Sequence, residues 1–86
     1  MPTICRFYGI VIRMYFDDHA PPHFHAVYGE FHATIDIAQT RVLQGGLPKR
    51  ALELVVEWGE LHRDELAANW RLCQEKSAPL EIEPLP

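Results

Sequence analysis

Cysteine is scarce in this chain, with two in 86 residues, Cys5 and Cys73, near opposite ends and in no Cys-x-x-Cys pair. Neither a disulfide framework nor a thiolate zinc site is expected from them. Long apolar runs are missing as well, so no membrane span is expected. A phosphate-cradling glycine loop, a Ser/His/Asp set in a recognisable context and a basic DNA-reading helix are all lacking. Positive charge is in short supply, with eight Lys and Arg against twelve Asp and Glu and a formal net charge of −4. That balance opposes bulk attraction to a nucleic-acid backbone, so any RNA site would have to be local. The start Met1-Pro2-Thr3 does not show the basic-then-apolar grading of a signal peptide, and a cytoplasmic location is expected.

Apolar residues make up 48% of the chain, ample for one core and too few residues overall for two. The first forty-odd residues alternate with period two. Ile10, Ile12, Met14 and Phe16 share one face of a strand over 10–16, with Val11, Arg13 and Tyr15 on the other. A shorter strand over 3–7 precedes it, joined by a tight turn at Tyr8-Gly9. Asp17 to Pro22 cannot continue a ladder, because two prolines remove two donors. A hairpin follows. If Gly29-Glu30 is a two-residue type II′ loop, opposing residue numbers sum to 59, which sets Phe24 against Ile35 and His23 against Asp36. A short strand near 41–43 is expected before Gly45-Gly46.

Periodicity then changes to that of a helix. Pro48 suits a first helical position, and Ala51, Leu52, Val55, Val56, Trp58 and Leu61 are spaced for a helix that Gly59 ends or kinks. A second helix is expected over 62–76, with Asp64 and Glu65 in its first turn and Leu66, Trp70 and Cys73 on one stripe. Among its polar residues, Asn69 reads as a buried amide that satisfies a turn. The expected architecture is α+β: an antiparallel sheet of about three to five strands in the N-terminal half, packed on two C-terminal helices. The domain spans 1–76, and 77–86 is an extended proline-rich tail suited to a partner-binding strap.

The chemistry concentrates at Asp17-Asp18-His19-Ala20-Pro21-Pro22-His23-Phe24-His25. One residue apart on a strand, His23 and His25 leave the same face and can converge on one ion, with His19 as a third ligand and Asp36 across the hairpin. That N/O donor set suits a divalent transition metal such as zinc, iron, manganese or nickel. The same histidines could instead work without metal as general acid and base on an RNA phosphodiester. Arg6 and Arg13 could supply the cation that holds the phosphate, and the candidate catalytic set is His19, His23, His25 and Arg13. The plain alternative is that the imidazoles hydrogen-bond to Asp17, Asp18 and loop carbonyls and brace a proline-rich corner.

Several words of the sequence are distinctive: Met1-Pro2-Thr3-Ile4, Arg6-Phe7-Tyr8-Gly9-Ile10, Met14-Tyr15-Phe16, Asp18-His19, Pro21-Pro22-His23-Phe24-His25-Ala26 and Tyr28-Gly29. Later come Leu47-Pro48, Glu57-Trp58, His62-Arg63, Glu65-Leu66 and Asn69-Trp70. In these the chain resembles the prokaryotic family labelled domain of unknown function 4160. The resemblance implies a component of a small two-gene module, toxin–antitoxin-like or regulatory, that acts by binding the neighbouring gene's protein or a second copy of itself. It brings no catalytic residues with it. The expectations from the sequence are therefore a regulatory partner-binding protein with a histidine-rich surface and, as the alternative, a histidine-dependent RNA-cleaving enzyme or metal protein built on His19, His23 and His25.

Overall fold

The computed structural model describes residues 2–86. Met1, the first residue of the expected 1–76 domain, lies outside the described residues. Five strands come first: β1 (Thr3–Phe7), β2 (Ile10–Arg13), β3 (His23–Tyr28), β4 (Phe31–Asp36) and β5 (Val42–Gly46). They form one antiparallel meander in chain order, and helices α1 (Lys49–Leu61) and α2 (Arg63–Gln74) follow, an α+β fold. No helix among the described residues is long and apolar enough to cross a membrane.

Side-chain alternation makes one face of the sheet the core. Phe7, Ile10, Ile12, Phe24, Ala26, Ala33 and Ile35 are buried there against Ala51, Val55 and Trp58 of α1 and Leu66 and Cys73 of α2. The Trp58 ring lies 5.4 Å from Phe7 and 5.8 Å from Phe24. The β3–β4 register is the one that a Gly29-Glu30 loop dictates: Gly29 has φ 58°, and His23 pairs with Asp36 and Phe24 with Ile35. At the other early turn Tyr8 joins Gly9 at positive φ, 49° and 79°.

Four boundaries differ from the sequence expectation, one of them α2, which runs Arg63–Gln74 where 62–76 was expected. β2 stops at Arg13 instead of running to Phe16, because the chain peels away to a turn with Asp17 at φ 55° and leaves Phe16 exposed. β5 begins one residue later and runs through both glycines. Gly59 neither ends nor kinks α1, which continues to Leu61 and breaks at His62. Its role is tertiary. A Cβ at Gly59 would sit 2.9 Å from Thr40 Cγ2 and 3.5 Å from Phe24 Cζ.

Thr40 cannot swing aside. It is buried in the β4–β5 loop, where Asp36 Oδ1 accepts from the Gln39 amide (2.8 Å) and Arg63 donates to Thr40 Oγ1 (2.8 Å) and to the Ile37 carbonyl (3.1 Å). Gly59→Ala should therefore lower stability by about 1 kcal/mol net, the overpacking cost of about 1–3 kcal/mol exceeding the helix-propensity gain of about 1 kcal/mol. Removing the obstructing methyl with Thr40→Ser should cancel that loss. Urea denaturation of the two single variants and the double variant checks it, and a neutral Gly59→Ala would show that the loop yields.

Residues 77–86 are extended and take their partners from their own chain. The Ile82 amide donates to the Ile4 carbonyl (2.9 Å), Trp58 Nε1 donates to the Glu83 carbonyl (2.8 Å), and Asn69 both donates to and accepts from the backbone of Leu80 (2.8 and 2.9 Å). Ile82 and Leu85 are buried in the core. Asn69 is buried as expected, but its amide serves the backbone of this extended segment and not a turn.

A candidate metal centre at the histidine corner

β3 carries His23 and His25 on the face opposite Phe24 and Ala26, as strand alternation requires. The connection 14–22 returns over this end of the sheet, anchored to α2 by a hydrogen bond from Gln74 Nε2 to the Asp18 carbonyl (2.9 Å). It passes through the cis Ala20–Pro21 peptide. Both imidazoles are covered by it, His23 at 5% and His25 at 9% exposure. Trp70 packs 5.1 Å from the His23 ring and Tyr15 stacks 4.3 Å from the His25 ring.

The two rings converge on one oxygen. His23 Nε2 lies 2.8 Å and His25 Nε2 3.1 Å from Asp18 Oδ2. One donor atom from each of Asp18, His23 and His25 falls within 4.8 Å of the others. In a tetrahedral zinc site with ordinary bond lengths, donor atoms are spaced about 3.3 Å apart. The two Asp18–histidine distances, 2.8 and 3.1 Å, fall a few tenths of an ångström short of that spacing.

His23 Nδ1 lies 2.8 Å from the Pro21 carbonyl, which can only accept, so Nδ1 carries the hydrogen. Its Nε2 then faces a carboxylate oxygen with one of two things between them, a second proton or a shared cation. A ligating imidazole characteristically donates its other nitrogen to a backbone carbonyl in this way, which fixes tautomer and ring orientation. Burial works to raise the Asp18 pKa, but hydrogen bonds from His25 and His23 and the His23 charge outweigh it, and the carboxyl ends below its usual range. Burial, helped by the His23 charge, lowers the His25 pKa against the opposing bond from Asp18. An ionised carboxylate and a neutral imidazole are the ligating forms of both groups.

The cluster opens onto a pocket of about 230 Å³, whose other walls include His19, Pro21, Thr34, Leu43 and Gln44. A hollow of similar size, about 250 Å³, lies between β1 and the C-terminal segment but brings together no comparable donor set. The only thiol on it, Cys5, is buried and has its pKa raised by that burial, like Cys73.

Of the residues expected from sequence, His23 and His25 meet as anticipated, and His19 stands at the rim. The His19 ring is 92% exposed, with Nδ1 3.4 Å from Asp18 Oδ1. Asp36 does lie across from His23, but its carboxylate is engaged by the Gln39 amide and it does not enter the cluster. Arg13 pairs with His25 on the neighbouring strand, while the pocket opens on the β4–β5 side. The third member of the cluster is Asp18, which the sequence reading named only as a hydrogen-bond partner of the imidazoles, the role in which it is seen here. Its position five and seven residues before the two histidines, across a proline turn, was the available signal.

The fold and corner together define an α+β protein with two buried histidines and a half-buried aspartate clustered beside a pocket. The model of the family described as domain of unknown function (DUF4160) matches residues 9–71, and the chain belongs to that family. The matched span contains every residue of the donor set, whereas β1 and the C-terminal segment lie outside it. No curated protein and no solved structure matches the chain.

Proposed function

We propose that the protein binds one divalent transition-metal ion through Asp18, His23 and His25, with a further coordination position turned toward the pocket. The observation that carries this reading is the His23 ring, with its Nδ1–H given to the Pro21 carbonyl and its Nε2 aimed, together with that of His25, at a single Asp18 oxygen. Three protein ligands and one open position are the arrangement of catalytic zinc sites, in contrast to the closed four-ligand structural ones. An ion there would act as a Lewis acid on a small molecule in the pocket or on bound water. His19 stands at the edge of that opening, where a ligand would pass it.

Two features favour this reading over the others. A partner-binding regulator, toxin–antitoxin-like or otherwise, was expected to use an apolar edge or residues 77–86, and the second of these is engaged with its own chain. Metal-free RNA cleavage asks for a cation over the phosphate, and Arg13 is not among the residues lining the pocket.

The test is calorimetric titration of chelator-stripped protein with zinc and, separately, cobalt, nickel, manganese and iron(II). One ion per chain is expected for at least one metal. An ion at about 100 times its Kd should raise folding stability by about 2.7 kcal/mol. His23→Gln combined with His25→Gln should remove both effects. If none of the five ions binds saturably, the proposal is wrong.

A further inference from the structure

His25 is held on its far side as well as at the cluster. Its Nδ1 lies 3.0 Å from His32 Nε2, the rings being 5.2 Å apart. His32 lies on β4 two residues before Thr34, the cross-strand partner of His25, which makes it a same-face diagonal neighbour, and it is exposed. The His25 ring is therefore fixed at both nitrogens and stacked by Tyr15 on one face.

The geometry points to His32 as the positioning residue of the proposed centre: its imidazole holds His25 so that Nε2 faces the ion. This inference rests on the metal-binding reading above. Without an ion, His25 Nε2 donates to Asp18 and Nδ1 accepts from a His32 Nε2–H. With an ion on Nε2, the His25 hydrogen must move to Nδ1, which then needs an acceptor in the same place. His32 supplies either role by exchanging its own tautomer. The exchange asks no heavy-atom movement of the His25–His32 contact itself, so the second support stays in place while the Asp18 side opens to admit the ion.

Few side chains can do this. Gln can, because its terminal amide reaches about as far as His Nε2 and presents either oxygen or NH2 by rotation. Asn offers the same chemistry one methylene short, and Leu offers shape without polarity.

The experiment compares wild type with His32→Gln, His32→Asn and His32→Leu, each loaded with cobalt(II). Affinity is read by competition with a chelator, and coordination by the visible absorption of the bound ion. His32→Leu and His32→Asn should bind about 10–100-fold more weakly, with an altered spectrum, as for the loss of an outer-shell partner. His32→Gln should stay within about threefold of wild type with the same spectrum. A merely structural His32 would alter melting temperature and leave the cobalt spectrum alone. Circular dichroism checks the fold. If Leu destabilises β4, the Asn and Gln pair still decides the matter, since these differ only in reach. Wild-type affinity and spectrum in a folded His32→Asn or His32→Leu variant would overturn the role of His32 alone. Failure of the wild type to take up cobalt or any other ion would overturn the centre itself and this inference with it.

Discussion

Asp18→Asn should abolish tight metal binding while leaving the chain folded. Both imidazoles aim at Asp18 Oδ2, and that oxygen is the only anionic donor in the cluster. The Asn carbonyl can still accept from His23 and His25, and what is given up is the exposed bond from the His19 amide to Asp18 Oδ1 (3.1 Å), so the 14–22 connection should keep its place. What goes is the negative charge that would draw the ion in and stay bonded to it. Removal of an outer-shell partner costs about 10–100-fold in affinity, and loss of a direct ligand should exceed that, so the decrease expected here is above about 100-fold. The metal-free variant should also melt somewhat lower, because hydrogen bonds to an ionised acceptor are roughly twice as strong as neutral ones. Asp36→Asn is the control. That carboxylate serves the Gln39 amide, an amide oxygen can serve it too, and metal affinity should not change. Equal loss in the two variants, or none in Asp18→Asn, would show that the ion sits elsewhere.

The contrast between Asp18 and Asp36 shows how far the sequence could be read. Strand alternation and the Gly29-Glu30 loop place His23, His25 and Asp36 together, because period two and a two-residue turn leave little freedom. They establish proximity of backbones, not allegiance of side chains. Asp36 is claimed locally by an amide three residues ahead, the ordinary preference of an Asp entering a turn. Asp18 reaches the histidines because residues 14–22 fold back over the strand end; its closeness in sequence made a hydrogen bond to them legible, but not that both Nε2 atoms would meet on one of its oxygens. Gly59 has the same lesson in the helices. By propensity a glycine reads as a helix end, whereas here contacts with Thr40 and Phe24, distant in sequence, require the missing Cβ. In the tail, three prolines suggested an independent strap, yet Ile82 and Leu85 were the signal that it covers core.

Trp58 is where sheet, helix and tail meet, and Trp58→Ala should be the most destabilising single substitution considered for this fold. The side chain is fully buried, lies against Phe7 and Phe24 of the sheet, and donates from Nε1 to the Glu83 carbonyl. Truncation leaves a large cavity and an unpaired carbonyl. Phe/Trp→Ala changes in cores cost about 3–5 kcal/mol, against a total stability of about 4–13 kcal/mol for a chain of this length. At the lower end of that range the variant does not fold, and at the upper end it melts far below wild type. Trp58→Phe separates the two contributions. A phenyl ring retains much of the packing, and the lost hydrogen bond leaves the Glu83 carbonyl to water, so the loss expected is about 1–3 kcal/mol. Its local signature should be larger than its global one. Amide exchange at Ile82, whose N–H is bonded to the Ile4 carbonyl, should speed up more than exchange within β3 and β4, because the segment gives up one of its anchors while the sheet keeps its ladder. Uniform acceleration across the chain would mean that the tail and sheet open only together, and that the indole anchors the core as a whole instead of the strap.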